Sequence, residues 1–374
     1  MDANKKDRRT VLAAVACGSA LLLSIWLIPG NVAERQNREQ RAFPDLTTSN
    51  WADPATWATV DSALRDDLGA QVYVAEATAS VSALLLHRSP NSSTYVSGGG
   101  QPFFASDFIF PCRTNATRLG ILEDSLTTDA AVAEAQGVYA LYVVAPDKST
   151  IRRDELGGTA HSLLRCTDPV RETVQGWAAQ GELPLVTLWD EVEEFDAERA
   201  DDGGVYYYGD SHWNAYGASV FTTKLLERLV ADDEAPSGVL ESLENYEIEP
   251  GEEKVTDLFK TIGLAIPADR DEIVFDRPGV TTERSTITNS EGTEMTHYEN
   301  ETTDAPLVEG RTLILGDSFL QAHSIPQLST FFEQVTFGSL LDYVDYSQYD
   351  RIIMERVQRN TAEPGWPTLT EPAQ

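Results

Sequence analysis

Helix-like and strand-like segments alternate along this chain from about residue 100 onward, and this alternation limits the possible folds most strongly. Apolar runs typical of buried strands are at 138–144, 185–188, 311–315, 335–337 and 351–357. Segments with helical periodicity are at 117–135, at 172–180 and after Trp213, where Val220, Leu225, Leu226 and Leu229 form an apolar face. Such alternation predicts an α/β fold, a parallel sheet with helices on both faces.

A Gly-Asp-Ser-Phe motif at 316–319 follows the predicted strand at 311–315 directly. A serine at such a strand-to-helix corner is lifted clear of the sheet, beside backbone N–H groups that could hold an oxyanion. Ligand sites of open α/β folds also lie where strands end. Gly, Asp and Ser are equally common in turns and at helix N-termini, so Ser318 alone indicates either a nucleophile or a turn.

A second motif, Asp-Ser-His-Trp at 210–213, supplies the groups that a serine nucleophile needs. In an extended segment the side chains of Asp210 and His212 project to the same side, so the carboxylate can orient the imidazole as a general base for Ser318. His323, five residues after Ser318, is a rival base. An Asp-x-His pair could also be half of a metal site or a surface hydrogen bond.

The spacing of other residues gives no support to a metal or a nucleotide cofactor. The five histidines are His87, His161, His212, His297 and His323, and no two of them have the H-x-x-x-H spacing. The sequence contains neither a P-loop nor a G-x-G-x-x-G motif. We therefore predict a site with no metal and no cofactor.

With both motifs, the chain resembles the SGNH-hydrolase-like domain of the alginate O-acetyltransferase family, extracytoplasmic enzymes that acetylate bacterial exopolysaccharides. The resemblance rests on Asp210 to Asn214 followed by Gly217, and on the Gly-Asp-Ser-Phe motif. Further similar stretches are 37–39 with 43–44, 143–150, 257–258 and 355–356. By this resemblance Ser318, His212 and Asp210 form the catalytic triad, and Ser318 carries the acetyl group.

The resemblance also implies a polysaccharide acceptor and a membrane-bound O-acyltransferase as the acetyl donor. Trp213 and Tyr208 could stack on sugar rings, although core packing fits them equally well, and Asn214 is a candidate oxyanion donor. Two other functions stay open. The same triad would make a carbohydrate acetyl esterase if water reached the acyl-enzyme, and the fold could serve a non-catalytic glycan-binding or assembly protein.

The N-terminal residues predict a membrane anchor. Basic residues at 5–9 precede an uncharged run from Thr10 to Ile28 that nearly spans a bilayer core and ends at Pro29-Gly30. Positive charge before the span predicts a cytoplasmic N-terminus and an extracytoplasmic catalytic domain, at the cell surface or in the periplasm. A cleaved signal peptide is the alternative, although no good A-x-A-like site follows the run.

These patterns divide the chain into five predicted parts. They are a cytoplasmic tail at 1–9, a transmembrane signal anchor at 10–30, a membrane-proximal linker at 31–59, an SGNH-like acyltransferase domain at 60–360 and a disordered tail at 361–374. Within the domain, 235–308 is rich in Glu, Thr and Pro, which predicts a β-containing insertion or long loops.

Charge and cysteine content agree with an extracytoplasmic enzyme. A net charge of −32 and a pI near 4.3 argue against binding to nucleic acid or to an anionic membrane surface. The two cysteines outside the predicted anchor, Cys112 and Cys166, predict a disulfide in an oxidising compartment, with two buried free thiols as the alternative.

Overall fold

The structure, a computed structural model, describes residues 41–67, 69–288, 292–340 and 346–361. No helix within these ranges is both long enough and apolar enough to cross a bilayer. The predicted cytoplasmic tail and anchor lie outside the described residues, as does the C-terminal tail beyond Thr361.

Thirteen strands are formed by the described residues. They are β1 (Thr94–Val96), β2 (Pro102–Phe104), β3 (Tyr139–Ala145), β4 (Leu185–Thr187), β5 (Tyr246–Glu249), β6 (Lys254–Val255), β7 (Pro267–Ala268), β8 (Glu272–Phe275), β9 (Val280–Thr288), β10 (Glu294–Thr302), β11 (Val308–Gly316), β12 (Phe332–Ser339) and β13 (Arg351–Val357). Each predicted apolar run lies in or overlaps one of them.

The α-helices of the same ranges are α1 (Pro54–Asp67), α2 (Gly69–Ser80), α3 (Ser106–Ile109), α4 (Ala116–Gln136), α5 (Lys148–Ile151), α6 (Ala160–Leu163), α7 (Thr167–Gln180), α8 (Trp189–Glu198), α9 (Ala215–Ala231), α10 (Asp257–Ile262) and α11 (Ile325–Leu328). Helix α1 begins within the stretch predicted as a linker. Pro54 suits its first turn, because proline lacks only an N–H that would have no helical partner there.

Seven strands form the main sheet, in the order β4-β3-β13-β11-β12-β10-β9. The first five are parallel to one another, as predicted. The prediction of a wholly parallel sheet is wrong at one edge, where β9 and β10 add an antiparallel hairpin. Only a short connection separates Thr288 from Glu294, which is too short for the crossover that parallel pairing needs.

Helices cover both faces of this sheet because successive strand residues point to opposite sides. On one face Leu141 and Val143 of β3 pack in a core with the apolar residues of α8 and α9. On the other face Tyr142 and Val144 pack with α4 and α7. The two helix layers bury the strands on both sides and leave the ends of the strands accessible.

The segment 235–308 contains several short β elements rather than one domain. Strand β5 pairs with β8, β6 pairs with β7, and the β9–β10 hairpin joins the main sheet. The prediction of a β-containing insertion or long loops describes these elements. Their position relative to the two motifs was not apparent from the sequence.

The predicted disulfide between Cys112 and Cys166 is formed. Cys112 lies in the short turn Pro111–Arg113, and Cys166 immediately precedes α7. The bond therefore connects the segments that precede α4 and α7, the two helices that cover one face of the sheet.

Reduction of this disulfide should destabilise the protein. The cysteines are 54 residues apart, and closing a loop of that length removes about 4 kcal/mol of chain entropy from the unfolded state, less any native strain. We expect a loss of about 2–4 kcal/mol in the free energy of unfolding with reductant, measured by urea denaturation. A Cys112→Ser/Cys166→Ser variant should be equally unstable with and without reductant, and a reductant effect that persists in this variant would contradict the assignment.

Candidate active site

Parallel strand register brings the predicted site residues to one edge of the sheet. Ala145 at the end of β3 pairs with Val357 at the end of β13, and β13 also pairs with β11. Ser318 follows β11 directly and is exposed at that edge. The motif at 210–213 lies in the connection between α8 and α9, with Trp213 buried in the core beneath.

The structure brings Ser318, His212 and Asp210 together as a hydrogen-bonded chain. Nε2 of His212 lies 2.8 Å from Oγ of Ser318, and Nδ1 of His212 lies 2.7 Å from Oδ1 of Asp210. The backbone N–H of His212 donates to the same carboxylate oxygen, at 3.0 Å. This is the arrangement in which an imidazole takes a proton from serine while a carboxylate holds its orientation.

Asp210 is the buried end of this chain, with a side chain that is 0% exposed. Its second oxygen, Oδ2, accepts hydrogen bonds from Arg270 at 2.8 Å and from the backbone N–H of Asp257 at 3.3 Å. Burial by itself raises the pKa of Asp210. The hydrogen bonds and charge of His212, with the bond from Asp257, outweigh burial and hold the pKa well below the usual carboxyl range. Asp210 is therefore ionised at neutral pH.

Asp257, at the start of α10, is a second carboxylate beside the triad. It accepts hydrogen bonds from the backbone N–H and the hydroxyl of Ser211, at 2.8 and 2.5 Å, and its Oδ2 lies 3.6 Å from Nδ1 of His212. Burial and the nearby charge of Asp210 raise the pKa of Asp257. Asp257 thus fixes the residue between Asp210 and His212.

Buried Lys148 holds the loop that carries Asp210 and His212. Its Nζ donates to the backbone carbonyls of Tyr207 and Asp210, at 2.8 and 3.0 Å, and burial lowers its pKa to about 8. These two bonds hold the turn that precedes His212.

The turn that carries Ser318 is held by two carboxyl groups. Asp317 accepts from the backbone N–H groups of Phe319 and Val357, both at 2.9 Å, so it braces the turn as its position predicts. The carboxyl of Glu355 accepts from the N–H of Asp317 at 3.2 Å. Burial, and then the charge of Asp317, raise the pKa of Glu355 well above its usual value.

A glycine at 316 is required by this close packing. A Cβ there would lie 2.5 Å from Cβ of Leu320 and 2.8 Å from a carboxyl oxygen of Glu355, both closer than real contacts. The Gly-Asp-Ser order therefore has a steric reason in addition to its turn chemistry.

Two predicted substrate-site residues have roles in the fold, and for Trp213 the predicted contact with a sugar is wrong. Trp213 is 0% exposed, stacks on Phe221 and donates its Nε1–H to the carbonyl of Phe319 at 3.0 Å, so its ring is not available to a sugar. Asn214 caps α9: its Oδ1 accepts from the N–H groups of Tyr216 and Gly217. Its amide nitrogen donates one hydrogen bond to the backbone carbonyl of Gly204, at 2.8 Å, and its role as an oxyanion donor stays a prediction.

Tyr208 differs from Trp213 because its side chain is 51% exposed. It packs edge-on against Phe259 and its hydroxyl donates to the carbonyl of Gly100 at 3.3 Å. These contacts hold the Tyr208 ring on one side, and the exposed part of the side chain stays accessible to a ligand.

The rival base His323 is bonded elsewhere. Its Nε2 lies 2.8 Å from the hydroxyl of Tyr207 and its Nδ1 lies 3.0 Å from Oε2 of Glu272. Both ring nitrogens of His323 therefore have partners other than Ser318, and His212 is the histidine that bonds the hydroxyl of Ser318.

Sequence reasoning missed Arg270 and Glu272, which lie in the segment interpreted as an insertion or long loops. Asp257 was noted only as part of a similar stretch. Neither charged residue forms a recognisable motif with the triad, so no local pattern would have identified them. A buried Asp210, which needs a positive partner, is the one signal that could have prompted a search.

Asp210, His212 and Asp257 also form the one group of described residues whose ligand atoms lie close enough together to hold a metal ion, within 4.8 Å. Arg270 already donates to Asp210 there, and its guanidinium supplies the positive charge that a metal would bring. The donor set therefore fits a charge-balanced triad better than a metal centre.

Comparison with known proteins identifies the family that part of the chain matches. Residues 123–271 match the family model described as SGNH hydrolase-like domain, acetyltransferase AlgX, which confirms the resemblance predicted from the sequence. The matched range includes Asp210, His212 and Arg270 and ends before Ser318. No curated protein matches the chain.

Three solved structures are similar to the chain at low sequence identity. Bacillus cereus PatB1 with a sulfonyl adduct is 16% identical, with a TM-score of 0.50 over 66% of this chain and 90% of that one. The O-acetyltransferase domain of Pseudomonas putida AlgJ is 13% identical, with a TM-score of 0.46 over 74% and 94%. Pseudomonas aeruginosa AlgX is 14% identical, with a TM-score of 0.41 over 72% and 66%. The likeness to PatB1 supports the fold alone.

The depressed pKa of Asp210 predicts a pH-dependent loss of stability in Asp210→Asn. Because the folded pKa lies below the unfolded value of about 3.9, ionised Asp210 contributes its full stabilisation above about pH 4. That contribution is lost as the pH falls further toward the folded pKa. We expect the variant to be less stable than the wild type at pH 7 in urea denaturation, with a difference that shrinks below about pH 4. A difference that grows on acidification would contradict the assignment.

Trp213 and Tyr208 should respond differently to truncation. Trp213→Ala removes a buried ring and should lower the free energy of unfolding by about 3–5 kcal/mol, measured by urea denaturation. Tyr208→Ala, at an exposed position, should change it far less. Equal losses in the two variants would show that Trp213 is not the core residue described here.

Proposed function

From the match of residues 123–271 to an acetyltransferase family, and from a serine bonded to the Asp210–His212 pair, we propose that this protein is an O-acetyltransferase. It moves an acetyl group through Ser318 onto hydroxyls of an exopolysaccharide or a cell-wall glycan. The observation that carries the proposal is the 2.8 Å separation between Nε2 of His212 and Oγ of Ser318, because it makes the hydroxyl a nucleophile.

In the first half-reaction His212 takes the proton of Ser318 as Oγ attacks the acetyl carbonyl. The new carbon–oxygen bond forms while the carbonyl electrons move onto oxygen. When they return, the bond to the donor's leaving group breaks, and His212 gives that group its proton. Asp210 stays ionised throughout and stabilises the imidazolium.

In the second half-reaction a sugar hydroxyl takes the place of the donor. His212 removes its proton as the hydroxyl oxygen attacks the acetyl carbon on Ser318. The bond to Oγ then breaks and His212 returns the proton to Ser318, so that the enzyme is regenerated with no net change in charge.

The oxyanion of both half-reactions lies beside the turn after β11. The first N–H groups of a helical turn have no helical carbonyl partner, and Ser318 is at the first position of such a turn. The N–H of Phe319 is already bonded to Asp317, so the N–H of Ser318 is the backbone donor that we assign.

The acceptor that we propose is a neutral or weakly charged glycan, because a net charge of −32 repels polyanions. Exposed Tyr208 is its proposed aromatic contact. The catalytic domain works outside the cytoplasmic membrane, held by the anchor at 10–30, and a membrane-bound O-acyltransferase supplies the acetyl group. The disulfide supports an oxidising compartment.

Ser318→Ala should abolish acyl transfer, because alanine offers no nucleophile. Purified protein would be mixed with an activated acetyl ester, with and without neutral glycan oligomers. We expect a fall in turnover of about 10⁴-fold or more in Ser318→Ala and none in Ser219→Ala, whose hydroxyl is bonded within α9. Turnover that survives in Ser318→Ala would overturn the assignment of the nucleophile.

The same assay separates the proposed transferase from an acetyl esterase, and a labelling experiment separates it from a non-catalytic protein. Acetylated sugar in the product supports a transferase, whereas free acetate at the same rate with and without glycan supports an acetyl esterase.

A serine-directed phosphonate should label Ser318 in the folded wild type. Failure to label it would favour a non-catalytic glycan-binding or assembly protein.

A further inference from the structure

Residues from Asp257 to Glu272, part of the predicted insertion, contact Asp210 of the triad and a residue in the helical turn that follows Ser318. The backbone N–H of Asp257 and the guanidinium of Arg270 donate to Oδ2 of Asp210. The carboxylate of Glu272 bonds His323, which lies in the helical turn that follows Ser318. One segment thus contacts Asp210 directly and the turn after Ser318 through His323.

Arg270 has the most direct of these contacts with the triad. Its Nη2 lies 2.8 Å from Oδ2 of Asp210, and the other oxygen of that carboxylate, Oδ1, bonds His212. The Asp210 side chain is 0% exposed, and that of Arg270 is 25% exposed, so solvent screens the pair only in part. The two carboxylate oxygens therefore have different partners, one cationic and one imidazole.

The position of Arg270 is fixed by a chain of aromatic and polar contacts. Its guanidinium lies 5.3 Å from the centre of the Tyr207 ring. The Tyr207 hydroxyl lies 2.8 Å from Nε2 of His323, and Nδ1 of His323 lies 3.0 Å from Glu272. His323 is 1% exposed and Tyr207 is also buried, so the middle of this chain of contacts lies in the interior.

We propose that Arg270 is a positioning residue for the acyl transfer, acting on Ser318 through Asp210 and His212. This inference rests on the proposed function. Arg270 keeps Oδ2 of Asp210 occupied, which leaves Oδ1 directed at Nδ1 of His212 and Nε2 directed at Ser318. A guanidinium stays charged at all relevant pH values, so it also offsets the charge of Asp210.

Loss of this cation has two consequences. The Asp210 carboxylate can rotate away from His212, so the imidazole is no longer held toward the serine. Protonation of the Asp210–His212 pair also becomes easier, because a positive neighbour has gone. The other titratable groups around the pair are Asp257, Lys148 and Tyr207, with Glu272 and Asp271 beyond Tyr207.

The test compares wild type, Arg270→Ala and Arg270→Lys in hydrolysis of an activated acetyl ester across pH. We expect kcat/KM of Arg270→Ala to fall by about 10–100-fold, mostly through kcat. The pH at which activity falls on the acidic side should rise by about one unit, and Arg270→Lys should lie between the two. Added guanidinium ion should restore part of the activity of Arg270→Ala, since the vacated site is partly open to solvent.

Arg228→Ala is the matched control. It loses a 2.6 Å ion pair with Asp232 on α9, so it should reproduce any general effect of a lost ion pair without moving the acidic limb. Sodium at the same ionic strength controls for salt in the rescue. Thermal unfolding shows whether Arg270→Ala is folded. If it is not, the pH profile of Arg270→Lys tests the proposal in its place.

The proposal is overturned if folded Arg270→Ala, or Arg270→Lys in its place, keeps the wild-type acidic limb and kcat. It is also overturned if guanidinium ion restores no activity to Arg270→Ala and Arg228→Ala loses as much activity as Arg270→Ala. Failure of the proposed function has a different signature, because the wild type would then show no activity that depends on Ser318.

Discussion

The parallel pairing of β3, β13 and β11 is the constraint on which the site depends. In a parallel sheet the carboxyl ends of neighbouring strands meet at one edge, so Ser318 after β11 and Lys148 after β3 come to the same place. Lys148 then holds the carbonyl of Asp210, which brings His212 to the serine. Two motifs 106 residues apart thus become one hydrogen-bonded chain.

A buried carboxylate is the electrostatic cost of this arrangement, and much of the surrounding structure compensates for it. Asp210 receives hydrogen bonds from the ring and backbone of His212, from the backbone of Asp257 and from Arg270. Without these donors burial would favour the neutral acid, which cannot stabilise an imidazolium. The predicted insertion at 235–308, which contains Asp257 and Arg270, is therefore part of the electrostatic environment of the site.

The two residues after His212 show how closely catalysis and folding share one stretch of chain. Trp213 and Asn214 follow His212 directly, yet one fills the core and bonds the turn of Ser318, and the other caps α9. Both stabilise the geometry of the site. Their residue types suit either role, since indole and amide groups serve packing and capping as readily as recognition.

The sequence alone determined the α/β class and the presence of the long helices and buried strands, and it indicated the set Ser318, His212 and Asp210, because hydrophobic periodicity and short motifs are local properties. It also indicated the pairing of Cys112 with Cys166, since few alternatives existed. Only the tertiary structure decided that the edge hairpin is antiparallel, that Arg270 bonds Asp210 and that Glu272 bonds His323. Those contacts join distant parts of the chain, and no local pattern encodes which charged residue compensates a given buried charge.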